Sequence, residues 1–358
     1  MEIKKTLLAG IALALVAAAC GGGNPAETTG NGTGGGGSDR VAALAFDIGG
    51  LGDQGFNDSA YTGLKEAIEQ GTVTEEETDY LEPNASGSNA DDNAVNLAEQ
   101  GYELVIAVGG VTFSPPIEDF AKDFPDVNFA IVDGFACLDK PCDTVVNLTF
   151  AEHEGSFLVG AAAALKSESG TIGFLGGQRG TGVIEKFEAG YTAGAQQVNP
   201  DIEVVVEYIG DTVAAYADPT RGEALSSKMY DQGADVVFHA AGGSGVGLFK
   251  AAVAANKLAI GADLDQSLAA TPEERKVILT SMIKRVDTSV LEIIQAQVDG
   301  QFKPGTEEFD LSEDGVGYAV NKYNDNEQLM SQDIKKELEA YKKQIISGDI
   351  KVPSVPQA

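Results

Sequence analysis

From residue 41 onward, short apolar runs rich in β-formers alternate with segments of helical spacing. Val41–Ile48, Glu103–Val108, Asn128–Val132 and Val145–Phe150 read as strands, separated by helical patterns at Ser59–Gln70, Asp91–Gln100 and Pro116–Phe124. The alternation resumes with a helix at Gly155–Lys166. Strands then follow at Thr171–Leu175, Glu203–Tyr208, Asp235–His239, Leu258–Ala262 and Val277–Thr280, with helices Ile184–Val198, Pro219–Gln232 and Gly247–Asn256 between them. A strand, a glycine-marked turn and a helix, repeated, require parallel strands joined by right-handed crossovers. There are too many strands for one comfortable sheet, so two doubly wound α/β lobes are expected. A last helix, Gln332–Ser347, carries Ile334, Leu338, Tyr341 and Ile345 on one face.

The N-terminus reads as an address rather than as part of this fold. Lys4 and Lys5 precede a thirteen-residue apolar run, Leu7–Ala19, too short to span a hydrocarbon core of roughly 30 Å. Residues 1–19 are therefore expected to be a signal peptide. The small residues before Cys20 resemble the bacterial lipobox, which implies that Cys20 is lipidated, although Ala17 stands where the lipobox prefers leucine. Ordinary cleavage leaving an unmodified cysteine is the alternative. Of the eighteen residues Gly21–Ser38, nine are glycine, and none carries an apolar side chain larger than proline. Such a segment cannot offset its ordering entropy, so residues 20–39 read as a tether spanning roughly 23 Å.

Cysteine count and charge narrow the function. Three cysteines are present. With Cys20 lipidated, Cys137 and Cys142 remain and can close a short disulfide loop in an oxidising compartment. Two thiols and the two histidines, His153 and His239, do not make a zinc tetrad, and no metal or cofactor is expected. The formal net charge of −31 argues against nucleic acid or anionic lipid as a charge-driven partner.

Two motifs suggest chemistry and are weak. Gly50-Leu51-Gly52-Asp53-Gln54-Gly55 fits G-x-G-x-x-G after a strand, with Asp79 and Glu82 near the spacing of a ribose contact. However, Asp53 sits inside the loop, with Asp47 and Asp58 flanking it, an unfriendly field for a pyrophosphate. Gly242-Gly243-Ser244-Gly245-Val246 misses the nucleophile-elbow pattern at its last position. An enzyme is therefore not expected.

A repeated arrangement is more informative. Asp47, Asp133 and Asp263 each follow an apolar strand, where open α/β sheets bind ligands. With Lys284, Phe56 and Tyr216 they suggest a cleft for a neutral polyhydroxylated ligand, with carboxylates for hydroxyls or a ring N–H and aromatic faces for a base. Phe46-Asp47-Ile48-Gly49-Gly50 and Gly55-Phe56-Asn57-Asp58-Ser59-Ala60-Tyr61-Thr62-Gly63 resemble the opening of the basic membrane protein family, the substrate-binding lipoproteins of ABC importers that include purine nucleoside receptors. The resemblance continues through Phe124–Asp133, Gly233–Phe238 with Ala241-Gly242-Gly243, Gly261–Gln266 and Thr280–Lys284.

That resemblance implies a type I periplasmic-binding fold, with two lobes joined by three crossovers and the ligand shut between them. Lobe 1 would hold residues 40–150 and about 285–310, and lobe 2 residues 151–284 and about 311–347. Carried over, Phe56 would stack on the base, and Asp47 and Asn57 would hydrogen-bond the ligand. Asp133 would meet the base edge, Asp263 and Lys284 the ribose, and Gly243 would contribute backbone. Tyr216 matches the second stacking position, usually Phe. The expected partners are a purine nucleoside, the permease and ATPase of an importer, and the outer face of the cell membrane through the lipid. The same fold binding a sugar, or serving a membrane receptor as a ligand sensor, are the alternatives.

Overall fold

The structure, a computed structural model, describes residues 40–357. Along the chain the strands are β1 (Ala42–Phe46), β2 (Thr78–Leu81), β3 (Leu104–Val108), β4 (Asn128–Val132), β5 (Val145–Phe150) and β6 (Thr171–Gln178). They continue with β7 (Glu203–Gly210), β8 (Val236–Ala240), β9 (Leu258–Asp263), β10 (Ile278–Lys284), β11 (Gly305–Phe309) and β12 (Val316–Tyr318). The helices are α1 (Phe56–Glu69), α2 (Ala90–Glu99), α3 (Gly110–Asp123), α4 (Glu152–Lys166), α5 (Val183–Val198), α6 (Pro219–Asp231), α7 (Val246–Ala255), α8 (Val286–Val298) and α9 (Gln332–Ile346).

Two six-stranded sheets result, ordered β11-β5-β4-β3-β1-β2 and β12-β10-β9-β8-β6-β7. Every pairing is parallel except that of β10 with β12. Parallel strands are covered on both faces, which is why β1 and β3 read as unbroken apolar runs and are buried at every position. Leu44, Phe46 and Ile106 face one core layer, while Ala43, Ala45 and Val105 face another. The chain passes between the sheets three times: after Phe150 into α4, after Lys284 into α8, and between Phe309 and Val316.

Several elements differ from the sequence reading. The helix expected from Pro116 begins at Gly110 and runs through Pro115 and Pro116. These two prolines forfeit two backbone bonds, and burial of Phe113 and Ile117 against the sheet holds the turn together. Strands β2, β11 and β12, and helix α8, were not foreseen. The expected signal peptide, Cys20 and tether lie outside the described residues. Cys137 and Cys142 are bonded to each other, with their Cα atoms 5.7 Å apart.

Candidate functional site

The C-terminal ends of both sheets converge on one cleft. From the first sheet come Asp47 after β1, Gly109 after β3 and Asp133 after β4. From the second come Gly243 after β8, Asp263 at the end of β9 and Lys284 at the end of β10. Phe56 and Asn57 open α1, and Tyr216 ends a short 3₁₀ turn. All eight residues singled out from the sequence line this cleft. Asp53, Thr181, Val183, Ile184 and Phe187 also line it and were not foreseen. Ile184 and Phe187 have core spacing on α5, and only the tertiary fold turns that first turn toward the cleft.

Each carboxylate is held differently. The Asp47 carboxylate accepts the Ile48 N–H at 2.6 Å and the Thr112 hydroxyl at 2.9 Å. Burial still outweighs these bonds and raises its pKa. Residue 109 has to be glycine: its φ is +137°, and a Cβ there would lie 2.6 Å from the Asp47 Oδ2. Asp53 is buried and takes the backbone N–H groups of Gly55, Asn57 and Asp58, capping α1. Asn57 donates to the Ile48 carbonyl at 3.4 Å, and its buried Oδ1 has no hydrogen-bond partner among the described residues. Asp133 and Asp263 adopt left-handed backbone at φ 60° and 67°, a strain often retained at ligand sites.

Lys284 organises the floor of the cleft. Its ammonium hydrogen-bonds one Asp133 oxygen at 2.7 Å, lies 2.7 Å from the other and is 3.1 Å from Glu152. It also sits 5.2 Å from the ring centre of Phe56 and 4.9 Å from that of Phe150. Burial opposes its charge, but Asp133, Glu152 and Asp263 together prevail and raise its pKa. Glu152, 3.1 Å from Lys186 on α5, extends the charge chain through the first crossover. The expected helix began at Gly155 and so passed over Glu152, although it too is an acid just after an apolar strand. Among the described residues no donor hydrogen-bonds the Asp263 carboxylate. Burial pushes its pKa up to about 7, with Asp53, Asp133 and Glu152 adding to the rise and Lys284 opposing it.

Among the described residues four carboxylates and a single ammonium line the cleft, so it offers acceptors to a ligand that carries hydrogen-bond donors. The glycine-rich loop cannot cradle a pyrophosphate. Glu82 takes the Leu51 N–H, Asp58 takes those of Gly52 and Gln54, and Asp53 takes that of Gly55. Ser244 donates to the Ala215 carbonyl and accepts from the Asp218 N–H, both at 2.7 Å, which leaves it in a structural role. His239 lies 2.8 Å from Gln266.

Residues 40–354 match the family described as ABC transporter substrate-binding protein PnrA-like, or Bmp. The chain belongs to this family. Among relatives of this Bmp-family chain, the "CD4+ T-cell-stimulating antigen" of Listeria monocytogenes is 37% identical, covering 89% of each chain. The "ABC transporter nucleoside-binding protein BmpA" of Lactococcus lactis is 33% identical over 98% of this chain and 100% of its own. "Basic membrane protein A" of Borreliella burgdorferi is 31% identical over 84% of each. A solute-binding protein of an ABC transporter system from Aeropyrum pernix K1 superposes with a TM-score of 0.73 at 27% identity, covering 89% of this chain and 94% of that one. The fold is therefore the type I fold of periplasmic solute-binding proteins, and the chain is an ABC transporter substrate-binding protein of the Bmp family.

Proposed function

We propose that this substrate-binding protein captures a purine nucleoside between its lobes and delivers it to the permease and ATPase of an ABC importer. The observation that carries the reading is Phe56, an aromatic face at the cleft, beside Asp263, whose carboxylate takes no hydrogen bond from any donor among the described residues. The base stacks on Phe56, its edge meets Asp133 and Asn57, and the ribose hydroxyls donate to Asp263 and Asp47. Tyr216 closes the other side, and Gly243 contributes backbone. Residues 40–150 with 285–310 move as one lobe and 151–284 with 311–347 as the other. The name of the Lactococcus lactis relative supports the choice of ligand.

Calorimetric titration with inosine tests this reading. Inosine is expected to bind, and Phe56→Ala to weaken it about tenfold, within the range for one stacked base. Free ribose is expected to bind far more weakly and to respond little to that substitution. Ribose that binds as tightly as inosine, with Phe56→Ala changing neither, makes this a sugar-binding protein.

Its station is the outer face of the membrane, held by a lipid on Cys20 after removal of residues 1–19. The short apolar run, the small residues before Cys20 and the glycine-rich segment support this. Cys20→Ala is expected to move the protein from the membrane fraction to the soluble one with an unchanged melting temperature. An unchanged partition would refute the anchor.

A further inference from the structure

Gln266 lies just beyond β9, 2% exposed and outside the cleft lining. Its side-chain oxygen accepts the Ala262 backbone N–H at 3.0 Å and lies 2.8 Å from His239 Nε2. Its own N–H donates to the Ser281 hydroxyl at 3.2 Å. Its side-chain Nε2 reaches out of the second lobe and donates to the Gln54 carbonyl of the first, at 3.0 Å. A backbone N–H can only donate and a carbonyl can only accept, so the two backbone partners settle which end of the amide points across the cleft. His239 must then carry its proton on Nε2 to satisfy the same oxygen. Burial lowers the His239 pKa to about 4, which keeps the ring neutral.

Both halves of this contact are prepared within their own lobes. On the Gln266 side, Gly261 leaves room for the amide where it sits: a Cβ there would stand 2.5 Å from the Gln266 oxygen. On the other side, Gln54 is held at φ 55° in a loop whose N–H groups are tied down by Asp53 and Asp58. Neither side needs reordering to meet the other, so little of the bond is lost to entropy on closure.

We propose that Gln266 is the positioning residue that latches the two lobes shut, setting the closure equilibrium and hence the affinity without touching the ligand. The latch rests on the reading that ligand is captured between the lobes. Because the bond forms in the closed state whatever the ligand, its loss lowers the closure constant by one common factor and lets a bound ligand leave faster. Gln266→Glu keeps an acceptor toward Ala262 and His239 but sets an oxygen against the Gln54 carbonyl. Gln266→Ala removes the side chain altogether.

Calorimetry and stopped-flow binding of inosine and guanosine to the full-length protein test the latch. Both variants are expected to weaken both nucleosides by the same factor, about tenfold, with the change in the dissociation rate. Phe56→Ala, by contrast, should change the ratio between them. Unchanged affinities overturn the latch, and so do losses that differ between the two nucleosides, which would make Gln266 a ligand contact. Hydrogen exchange on the ligand-free protein decides independently of ligand choice. The first-lobe segment 50–58 is expected to exchange severalfold faster in Gln266→Glu, and identical exchange would refute the latch. If neither nucleoside binds the wild type, the ligand assignment falls while this measurement still judges Gln266.

Discussion

Lys284→Met is expected to destabilise the protein by about 3–5 kcal/mol at neutral pH, the cost of leaving buried carboxylates without their counter-ion. Methionine fills much the same volume, so the loss is electrostatic rather than a cavity effect. Asp133 and Glu152 both lean on this ammonium, and Asp263 draws on it from a greater distance. Glu152 would retain Lys186, but among the described residues Asp133 forms no ion pair with a second cation. Denaturant unfolding of both proteins measures the difference. Acidification should shrink the gap, because protonated carboxyls need no counter-ion. A variant that unfolds within 1 kcal/mol of wild type, a gap below the expected range, would show that the ammonium is not needed to hold these acids inside.

Asp263→Asn is expected to act in opposite directions on stability and on binding. The folded protein holds the Asp263 proton up to a pKa of about 7, above the ordinary 3.8. Its carboxyl is therefore fully compatible with the fold below pH 4, and that compatibility is lost as pH rises through 7. Asparagine has no proton to lose. The ligand-free variant should match wild type near pH 4 and gain on it steadily to about pH 7. Above that the gain should level off at about 2 kcal/mol, because opening of the cleft rehydrates the charge and caps the advantage. Inosine binding should fall roughly twentyfold, since ribose hydroxyls lose a charged acceptor. Thermal unfolding from pH 4 to 8 and calorimetry at pH 8 measure the two halves. A variant that is less stable than wild type at pH 8 contradicts the argument.

The fold was legible wherever burial was complete. Strands such as β1, β3 and β4 are hidden on both faces, and their unbroken apolar runs announce them. The edge strands do not follow that rule: β2 is half-buried throughout, and β11 has one buried position in five. Their pairing comes from a neighbour rather than from their own composition. Helix α8 escaped notice because only Arg285 separates it from β10, with no glycine or proline to mark the joint. The cleft was legible for a related reason. Acids at the ends of apolar strands stand out in one dimension, and Asp47, Asp133 and Asp263 do so. Asp53, Glu152 and Gln266 look like ordinary loop and helix-start residues. Their significance depends on partners far away in sequence: Lys284 for Glu152, and Gln54 for Gln266.

The threefold passage of the chain between the sheets bears on how the molecule is born. The first sheet is finished by β11, which pairs with β5 across about 150 intervening residues, and the second by β12, which comes later still. Neither lobe is a continuous stretch that could fold behind an advancing N-terminus. If the chain is threaded across a membrane from its front end, as proposed, its first sheet stays incomplete until β11 emerges and its second until β12 does. Closing such distant pairings is slow, so a chain exported as proposed would complete its sheets only late.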